Sequence, residues 1–212
     1  MSTKSKKDFR LGASYTIGSY VLPGEPIDTI QQHIDGKIKL TVAPCNEIVK
    51  AIKAKKLDLG FIESPILDDD LTYQEWMDDE LIVCSKKELP SSLDKDDLKS
   101  CRLICREKAS LSREFIQTFL KGQGLSHDNF HAVSEVDNPT AIIQSIKWSR
   151  PSAAITSVAI VSKIAIEYEL KYNDLYGSTI NDTAIVRKFY ILYSEESEYI
   201  ETIKKICQEL MK

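Results

Sequence analysis

The pattern of apolar and polar positions predicts an α/β arrangement in the first third of the chain. Short stretches in which apolar residues run together or alternate are typical of strands, and longer stretches with helical spacing separate them. The order is that of a βαβαβ unit, which indicates a mainly parallel sheet that binds ligands beyond the carboxyl ends of its strands. In chain order, the predicted elements are a strand from Arg10 into Ser14, a helical turn after Gly18, an edge strand over Lys37–Val42, a helix over Asn46–Ala54 capped by Asn46, and a strand over Leu57–Ile62.

The pattern predicts a second α/β lobe further along the chain. A polar stretch over Lys86–Lys99, predicted as a loop with a short helix, opens this lobe. Before it we expect strands over Leu71–Met77 and Glu80–Ser85, separated by a turn at Asp78-Asp79. After it we expect a strand over Arg102–Arg106, a helix from the cap Ser112 through Leu120, a strand over Asn129–Val136, a helix from Pro139 through Lys147, a strand over Ala153–Thr156 before a helix from Ser157, and a strand over Ile185–Tyr193. An amphipathic helix over Glu198–Met211 follows the lobe.

These elements predict how the chain divides. Lobe I should comprise residues 9–84 together with 196–212, and lobe II residues 85–195, with residues 1–8 as a flexible terminus. The composition agrees with two globular lobes, since 42% of the 212 residues are hydrophobic and 28% are charged.

Charge and hydropathy exclude several classes of function. A formal net charge of −4 opposes a nucleic-acid-binding surface, which needs clustered Lys and Arg. The basic stretch Lys4–Lys7 is short, and we interpret it as a solvated terminus. No apolar run reaches the roughly 20 residues of a membrane span, and no apolar segment of a signal peptide follows the basic start. We therefore expect a cytoplasmic protein that makes no contact with a membrane.

Neither catalysis nor metal binding is indicated by the residues that usually carry them. The five cysteines are scattered mostly in apolar segments, as reduced thiols are. Cys101 and Cys105 share one face of a predicted strand without a nearby histidine, which favours buried side chains over zinc ligands. His33, His127 and His131 have no partner in a motif. We predict no catalytic residue, no metal and no cofactor.

The first strand leads into a candidate binding elbow. Ser14 and Thr16 follow the strand at the point where the chain turns helical. The N–H groups of a helix's first turn carry partial positive charge, so two hydroxyls placed there can form a small anion site without a cationic side chain. Simple capping of the helix by Ser and Thr is the alternative.

Four stretches, in this order and spacing, give the chain a family resemblance. Leu11–Pro23, Ile48–Glu63, Asp79–Ser85 and Arg106–Arg113 resemble the effector-binding domain of LysR-type transcriptional regulators over nearly the whole chain. The resemblance implies two Rossmann-like α/β lobes joined by crossing strands, as in type 2 periplasmic binding proteins, with a small effector in the cleft. It also implies side-by-side dimers.

The same resemblance implies which residues bind the effector, and this sequence departs from the family pattern at two places. Pro44 and Cys45 stand where hydroxyl residues are usual, and Arg150-Pro151 replaces a glycine-rich turn. A thiol donates more weakly than a hydroxyl, and proline has no N–H. The implied effector-binding residues are Ser14, Thr16, Ile17, Cys45, Ser64, Ser110, Ser112, Asn138 and Thr156.

Together these observations predict an effector-sensing domain that binds a small anion, either a carboxylate or an inorganic oxyanion. We expect it to be a homodimer or higher homo-oligomer that controls DNA binding and transcription through an N-terminal helix-turn-helix domain. We do not find that domain before Phe9, so the chain would be a piece of a regulator or a free-standing sensor. A periplasmic-type solute-binding protein, which would be exported, and an enzyme of the same fold are the alternatives.

Overall fold

The computed structural model describes residues 8–66, 68–150 and 154–212. The basic stretch Lys4–Lys7 and the start of the strand predicted over Ala153–Thr156 lie outside these ranges, as does Pro151 of the expected departure at Arg150-Pro151. The strands are β1 (Phe9–Ala13), β2 (Ile38–Val42), β3 (Leu59–Ile62), β4 (Thr72–Ser85), β5 (Ser92–Leu93), β6 (Cys101–Cys105), β7 (Ala132–Glu135), β8 (Thr156–Ser162), β9 (Tyr176–Ile180) and β10 (Ile185–Tyr193).

Helices alternate with these strands over much of the chain. None of the helices in the described ranges is long and apolar enough to cross a membrane. A π-helix spans Ile17–Val21, and short 3₁₀ helices span His127–Asn129 and Ile164–Ile166. The α-helices are α1 (Glu25–Gln32), α2 (Cys45–Lys53), α3 (Lys95–Leu98), α4 (Leu111–Gly122), α5 (Pro139–Lys147), α6 (Glu167–Lys171) and α7 (Ile200–Leu210).

The chain folds into two compact units. Unit 1 contains the described residues up to Asp78 together with Lys188–Lys212, and unit 2 contains Asp79–Arg187. The chain passes from one unit to the other within β4 and again within β10. This is the mixed α/β fold that the sequence pattern predicts.

Unit 1 is built on a sheet in the order β2-β1-β3-β10. The first three strands are parallel, and β10 runs antiparallel to β3. Because β2 lies at the end of this order, the prediction that Lys37–Val42 forms an edge strand is confirmed. Phe9, Leu11 and Phe61 are fully buried in the core. Helix α7 belongs to the same unit, and the rings of Phe9 and Tyr199, which precedes α7, lie 5.2 Å apart.

Unit 2 is built around β8, which is antiparallel to β4 and parallel to β6. Strand β7 extends this sheet parallel to β6, while β9 pairs with both β4 and the short strand β5. Leu103, Leu120 and Val158 are buried in the centre of a core that β6, α4 and β8 share. The parallel strands β6 and β7 direct their carboxyl ends toward the starts of α4 and α5.

The predicted turn at Asp78-Asp79 is wrong, because both residues lie inside the continuous strand β4. Alternation along a strand points neighbouring side chains to opposite faces. Asp79 is fully buried and pairs with Arg187, whereas the exposed Asp78 pairs with Lys188 at 2.9 Å. Two consecutive cations in β10 therefore compensate two consecutive carboxylates that would otherwise favour a turn.

The helix predicted from Ser157 is also wrong. Thr156–Ser162 forms β8, and the next α-helix begins only at Glu167. Most of β8 is buried, and a short apolar run of this kind has no periodicity that separates a strand from a helix. Strand β9, over Tyr176–Ile180, was not among the predicted elements.

Two predicted elements have the bounds that the structure shows, and two predicted helix caps are wrong. Helix α5 over Pro139–Lys147 and strand β10 over Ile185–Tyr193 match the predicted bounds residue for residue. Asn46 is not the cap of α2, which begins at Cys45 after a Pro44 that makes no side-chain cap. The cap of α4 is Ser110 rather than Ser112, since the Ser110 hydroxyl accepts the hydrogen bond from the Arg113 N–H.

Candidate functional site

Three neighbouring parallel strands end at one edge of the unit 1 sheet, and the predicted residues of this unit follow them. The Ala43 N–H donates to the Ala13 carbonyl at 3.0 Å, and the Ser14 N–H donates to the Phe61 carbonyl at 2.9 Å. These bonds hold the three strand ends side by side. Ser14 and Thr16 follow β1, Cys45 follows β2, and Ser64 follows β3.

Ser14 stands out at this edge because its hydroxyl has no hydrogen-bond partner among the described residues, although only 2% of the residue is exposed. Buried hydroxyl groups are nearly always paired, and an unpaired one costs about 1–3 kcal/mol. Its carbonyl, by contrast, accepts from the Gly18 N–H at 2.8 Å. The backbone of Ser14 is thus fully used, and its side chain is left to bind something else.

The segment after Ser14 is a π-helix, a rare conformation that often occurs at functional sites. The Leu22 N–H donates to the Ile17 carbonyl at 2.9 Å, which is the wide spacing of such a helix. A Cβ atom at Gly18 would lie 2.7 Å from a methyl group of Val42. Glycine at this position therefore lets the elbow approach the end of β2.

Glu63, which directly follows β3, binds a backbone N–H group at the start of the elbow. Its carboxylate accepts the Thr16 N–H at 2.9 Å, and the two residues are 6% and 5% exposed. A helix start favours negative charge, and here the chain itself supplies one. Glu63 was not among the predicted site residues, because no sequence pattern connects positions 47 residues apart. The Thr16 N–H is therefore already engaged.

The remaining predicted residues of unit 1 differ in how much surface they offer. Ile17 is fully buried in the core. Cys45, 8% exposed, is the first residue of α2, and Ser64 is half-buried directly after Glu63. The structure thus places Ser14, Cys45 and Ser64 at the same edge of the sheet.

In unit 2, the first turn of α4 follows β6 and contains two predicted residues with different partners. Ser110 caps the helix, and its oxygen lies 3.5 Å from the Arg113 nitrogen. The Ser112 hydroxyl accepts from Nη1 of Arg187 at 3.0 Å. The first of these contacts is ordinary capping, and the second connects the helix to a cation 75 residues away.

Arg187 belongs to a buried polar network at the start of α4. Its Nε donates to Oδ2 of Asp79 at 2.8 Å, and the Ser162 hydroxyl donates to Oδ1 of the same carboxylate at 2.6 Å. The side chains of Arg187 and Asp79 are 4% and 0% exposed. A paired, buried guanidinium therefore lies against the start of α4, a cation that the sequence analysis did not identify.

A second buried cation, Arg113, directly follows Ser112 in α4. Its Nη1 donates to the Arg106 carbonyl and to Glu135, both at 2.7 Å, while its Nε has no partner among the described residues. Hydrogen bonding from Arg113 lowers the pKa of the Glu135 carboxyl. Burial, reinforced by the charge of Arg113, lowers the pKa of His127, whose buried Nε2 also lacks a partner in the described part of the chain.

The last two predicted residues of unit 2 lie at opposite edges of its sheet. Asn138 caps α5 after β7, accepting from the N–H groups of Thr140 and Ala141 at 2.9 and 3.2 Å. Thr156 is the first residue of β8 and pairs with Cys101, the first residue of β6. Thr156 therefore lies at the amino end of these strands, about 13 Å from the carboxyl end of β6, and its position gives the predicted role no support.

The chemistry of these groups is that of binding through hydrogen bonds and charge. Burial raises the pKa of Cys84 to about 12 and that of Cys207 to about 11, so neither thiol ionises near neutral pH. Within the described ranges, no cluster of three or more His, Cys, Asp or Glu side chains could hold a metal ion.

Sequence comparison assigns this arrangement to a family. The model of the LysR substrate binding domain matches residues 3–212, and the chain belongs to this family. Its members form the effector-binding part of transcriptional regulators and are not enzymes. This membership favours the regulator interpretation over a solute-binding protein or an enzyme.

A curated relative and two solved structures agree. The chain is 24% identical to the HTH-type transcriptional regulator YeiE of Escherichia coli over 200 residues, which cover 92% of this chain and 65% of that regulator. The chain thus spans less than two thirds of YeiE. It is similar to the Synechocystis CcmR regulatory domain in complex with 2-PG (TM-score 0.77, 22% identity, 97% of each chain) and to the effector binding domain of QuiR in complex with shikimate (TM-score 0.75, 18% identity, 98% of each chain). At these identities the structures support the type 2 periplasmic-binding-protein-like fold.

Proposed function

We propose that this chain is the effector-sensing domain of a LysR-type transcriptional regulator and that it binds a small anionic metabolite. The observation that carries the proposal is the buried Ser14 hydroxyl, which has no partner in the described structure although it lies at the carboxyl end of a parallel strand. Ligands of open α/β sheets bind at such ends. A ligand acceptor at Ser14 would remove the cost of its unpaired hydroxyl.

The negative charge of the effector is supported by unit 2. The N-terminus of α4 carries the partial positive charge of a helix dipole, and Arg113 in its first turn keeps an Nε without a partner among the described residues. The charge of Arg187 beside it is compensated by Asp79. In unit 1 the Thr16 N–H is engaged by Glu63, so there the binding capacity rests on the Ser14 hydroxyl. The proteins named with 2-PG and shikimate are similar in fold, and both compounds are acids, which agrees with an anionic ligand.

Titration of one double variant against a matched control tests the proposal. Carboxylates and phosphate esters, including shikimate and 2-PG, are first screened for a rise in melting temperature, since a ligand that binds only the folded state raises it. The strongest compound is then titrated by calorimetry. Replacing Ser14 with Ala and Thr16 with Val should weaken binding about 10- to 150-fold, the cost of a hydrogen bond to a charged group. Ser19→Ala changes an exposed hydroxyl of the same elbow and should leave binding unchanged.

Two outcomes would oppose the proposal. If no anion in the screen stabilises the chain, the domain does not sense a small anion of these classes. If the double variant binds as tightly as the parent chain, the elbow is not part of the effector site. Ser110→Ala and Asn138→Ala report separately on the predicted residues of unit 2.

We also propose that the chain acts as a homodimer or higher homo-oligomer and reaches DNA through a helix-turn-helix domain outside these 212 residues. The edge strand β2 leaves one row of backbone groups without a strand neighbour within unit 1, and such edges favour pairing. Sedimentation at high micromolar concentration tests the first part, and a monomer would contradict it. Fusing the chain to the helix-turn-helix domain of a known regulator and measuring operator binding with effector tests the second.

A further inference from the structure

Unit 1 contains a cavity of about 330 Å³ at the edge of its sheet opposite the Ser14 elbow. Arg10, the second residue of β1, and Asp58, directly before β3, line it at the amino ends of these strands. Ser14 follows the other end of β1, four residues along, which corresponds to about 13 Å in an extended strand. The cavity is therefore a separate feature from the elbow.

Arg10 is fixed in this cavity but keeps one donor nitrogen. Its Nε and Nη2 donate to the Asp58 carboxylate at 3.0 and 2.6 Å, and its backbone N–H donates to the same group at 2.7 Å. Nη1 makes no hydrogen bond within the described residues, and 31% of the Arg10 side chain is exposed. A guanidinium held on one side by a buried carboxylate is a rigid donor for a second carboxylate on its other side.

Lys55 lines the same cavity from an unusual backbone position. It follows the C-cap of α2 with φ +55°, in the left-handed conformation that glycine normally supplies at the end of a helix. The Lys55 N–H donates to the Ile52 carbonyl and the Lys56 N–H donates to the Ala51 carbonyl, which are the two hydrogen bonds of this type of helix end. A lysine here costs stability that a glycine would not, and such retained strain is common at ligand sites.

The Lys55 ammonium pairs with Glu196 at 2.9 Å, and both side chains are mostly exposed, at 64% and 78%. An exposed ion pair of this kind contributes little to stability, so it opens at little cost. Two cations and three carboxylates line the cavity, so neither a simple anion nor an apolar molecule is complementary to it. Ile52 and Leu57, which are 1% and 8% exposed, form the small apolar floor of the cavity.

We propose that this cavity binds a free α-amino acid with an apolar side chain. The ligand carboxylate pairs with Nη1 of Arg10 and with Lys55, its ammonium pairs with Glu196, and its side chain lies against Ile52 and Leu57. The zwitterion thereby replaces one exposed ion pair by two. The site is independent of the effector elbow and gives the domain a second ligand of a different chemical class.

Calorimetry on the full 212-residue chain tests the proposal with L-leucine and two analogues that each lack one charge. We expect saturable binding of L-leucine. 4-Methylpentanoate, which lacks the ammonium group, and 3-methylbutylamine, which lacks the carboxylate, should each bind at least about tenfold more weakly, the loss expected for one charge-assisted hydrogen bond. Absence of saturable L-leucine binding, or equal binding of either analogue, overturns the proposal.

Lys55→Gly separates binding from folding. It removes the ammonium group and relieves the left-handed strain, so the melting temperature should stay equal or rise while the affinity for L-leucine falls about tenfold or more. Glu196→Gln should weaken L-leucine to a similar degree. Ser14→Ala should leave L-leucine binding unchanged. If Ser14→Ala abolishes it and Lys55→Gly does not, L-leucine binds at the elbow and the proposed site is wrong.

Discussion

Asp79 and Arg187 form a buried ion pair in unit 2, with Arg187 Nε 2.8 Å from Asp79 Oδ2 and both side chains almost fully excluded from solvent. The two residues are 108 positions apart in the chain. Because the pair also holds Ser112 in the first turn of α4, it connects two strands of this unit with a predicted effector-binding residue.

Removing one partner of this pair should strongly destabilise the protein. Arg187→Met leaves the Asp79 carboxylate buried without its cation, and we expect a loss of about 3–5 kcal/mol in the free energy of unfolding, measured by urea denaturation. The matched control is the next residue, since Lys188→Met removes only the exposed pairs with Asp78 and Glu75 and should cost less than about 1 kcal/mol. Equal losses for the two variants would contradict the prediction.

Gly18 should tolerate no side chain, because a Cβ atom there would lie 2.7 Å from Val42 Cγ2. We expect Gly18→Ala to cost about 1–3 kcal/mol, the range of an overpacked core. Gly122→Ala is the control: it adds the same methyl group at the last residue of α4, where nothing lies within 4 Å, and should stabilise by up to about 1 kcal/mol. The two variants are compared by thermal unfolding, and a stable Gly18→Ala variant would show that the elbow can move away from β2.

His127 should make stability dependent on pH. Burial lowers its pKa in the folded protein, so the unfolded chain binds a proton at a higher pH than the folded chain does. Its contribution to stability is therefore complete above about pH 6.5, the pKa of an unfolded histidine, and is lost as the pH falls through the folded value. The urea concentration at the unfolding midpoint should decrease as the pH is lowered from 7 to 5, and it should decrease less in His127→Gln. His131→Gln, which changes an exposed histidine, is the control. If the urea midpoint of His127→Gln depends on pH as steeply as that of the parent chain, His127 is not the source of the pH dependence.

The thiols of Cys84 and Cys207 should be inert in the folded protein. The pKa values of about 12 for Cys84 and about 11 for Cys207 leave almost no thiolate at pH 7, so iodoacetamide should label neither until urea is added. Cys101 and Cys105 begin and end the same strand, about 13 Å apart, beyond the roughly 7 Å that a disulfide can span between backbone α-carbons. Peroxide should therefore produce no bond between them, and mass spectrometry detecting a Cys101–Cys105 disulfide in folded protein would contradict this.

Local patterns in the sequence predicted the elements whose information is local. The Pro139 start of α5 and the alternation in β10 lie in a few neighbouring residues and gave correct bounds. Asp78-Asp79 looked like a turn because its compensating cations stand more than 100 residues away. The sequence pattern places Thr156 at the end of a short strand, whereas in the structure it begins the buried strand β8.

The candidate site shows the same limit. Hydroxyl and amide residues that follow strands can be found by position, and the structure places Ser14, Ser110 and Asn138 after β1, β6 and β7. The charges near them cannot be found in this way. Glu63 reaches Thr16, and Arg187 reaches Ser112, only because β3 and β10 pass beside those turns in the folded chain.

The division of the chain also determines the order in which a ribosome can complete the two units. Unit 2 is one uninterrupted stretch, Asp79–Arg187, so all of its core has been synthesised before Lys188–Lys212 of unit 1. Unit 1 needs β10 and α7 from those last residues to cover Phe9 and the neighbouring strands. Domains fold as their residues emerge, and contacts between distant positions form late. The Ser14 elbow therefore belongs to the unit whose sheet can be completed only after every residue of unit 2 has been synthesised.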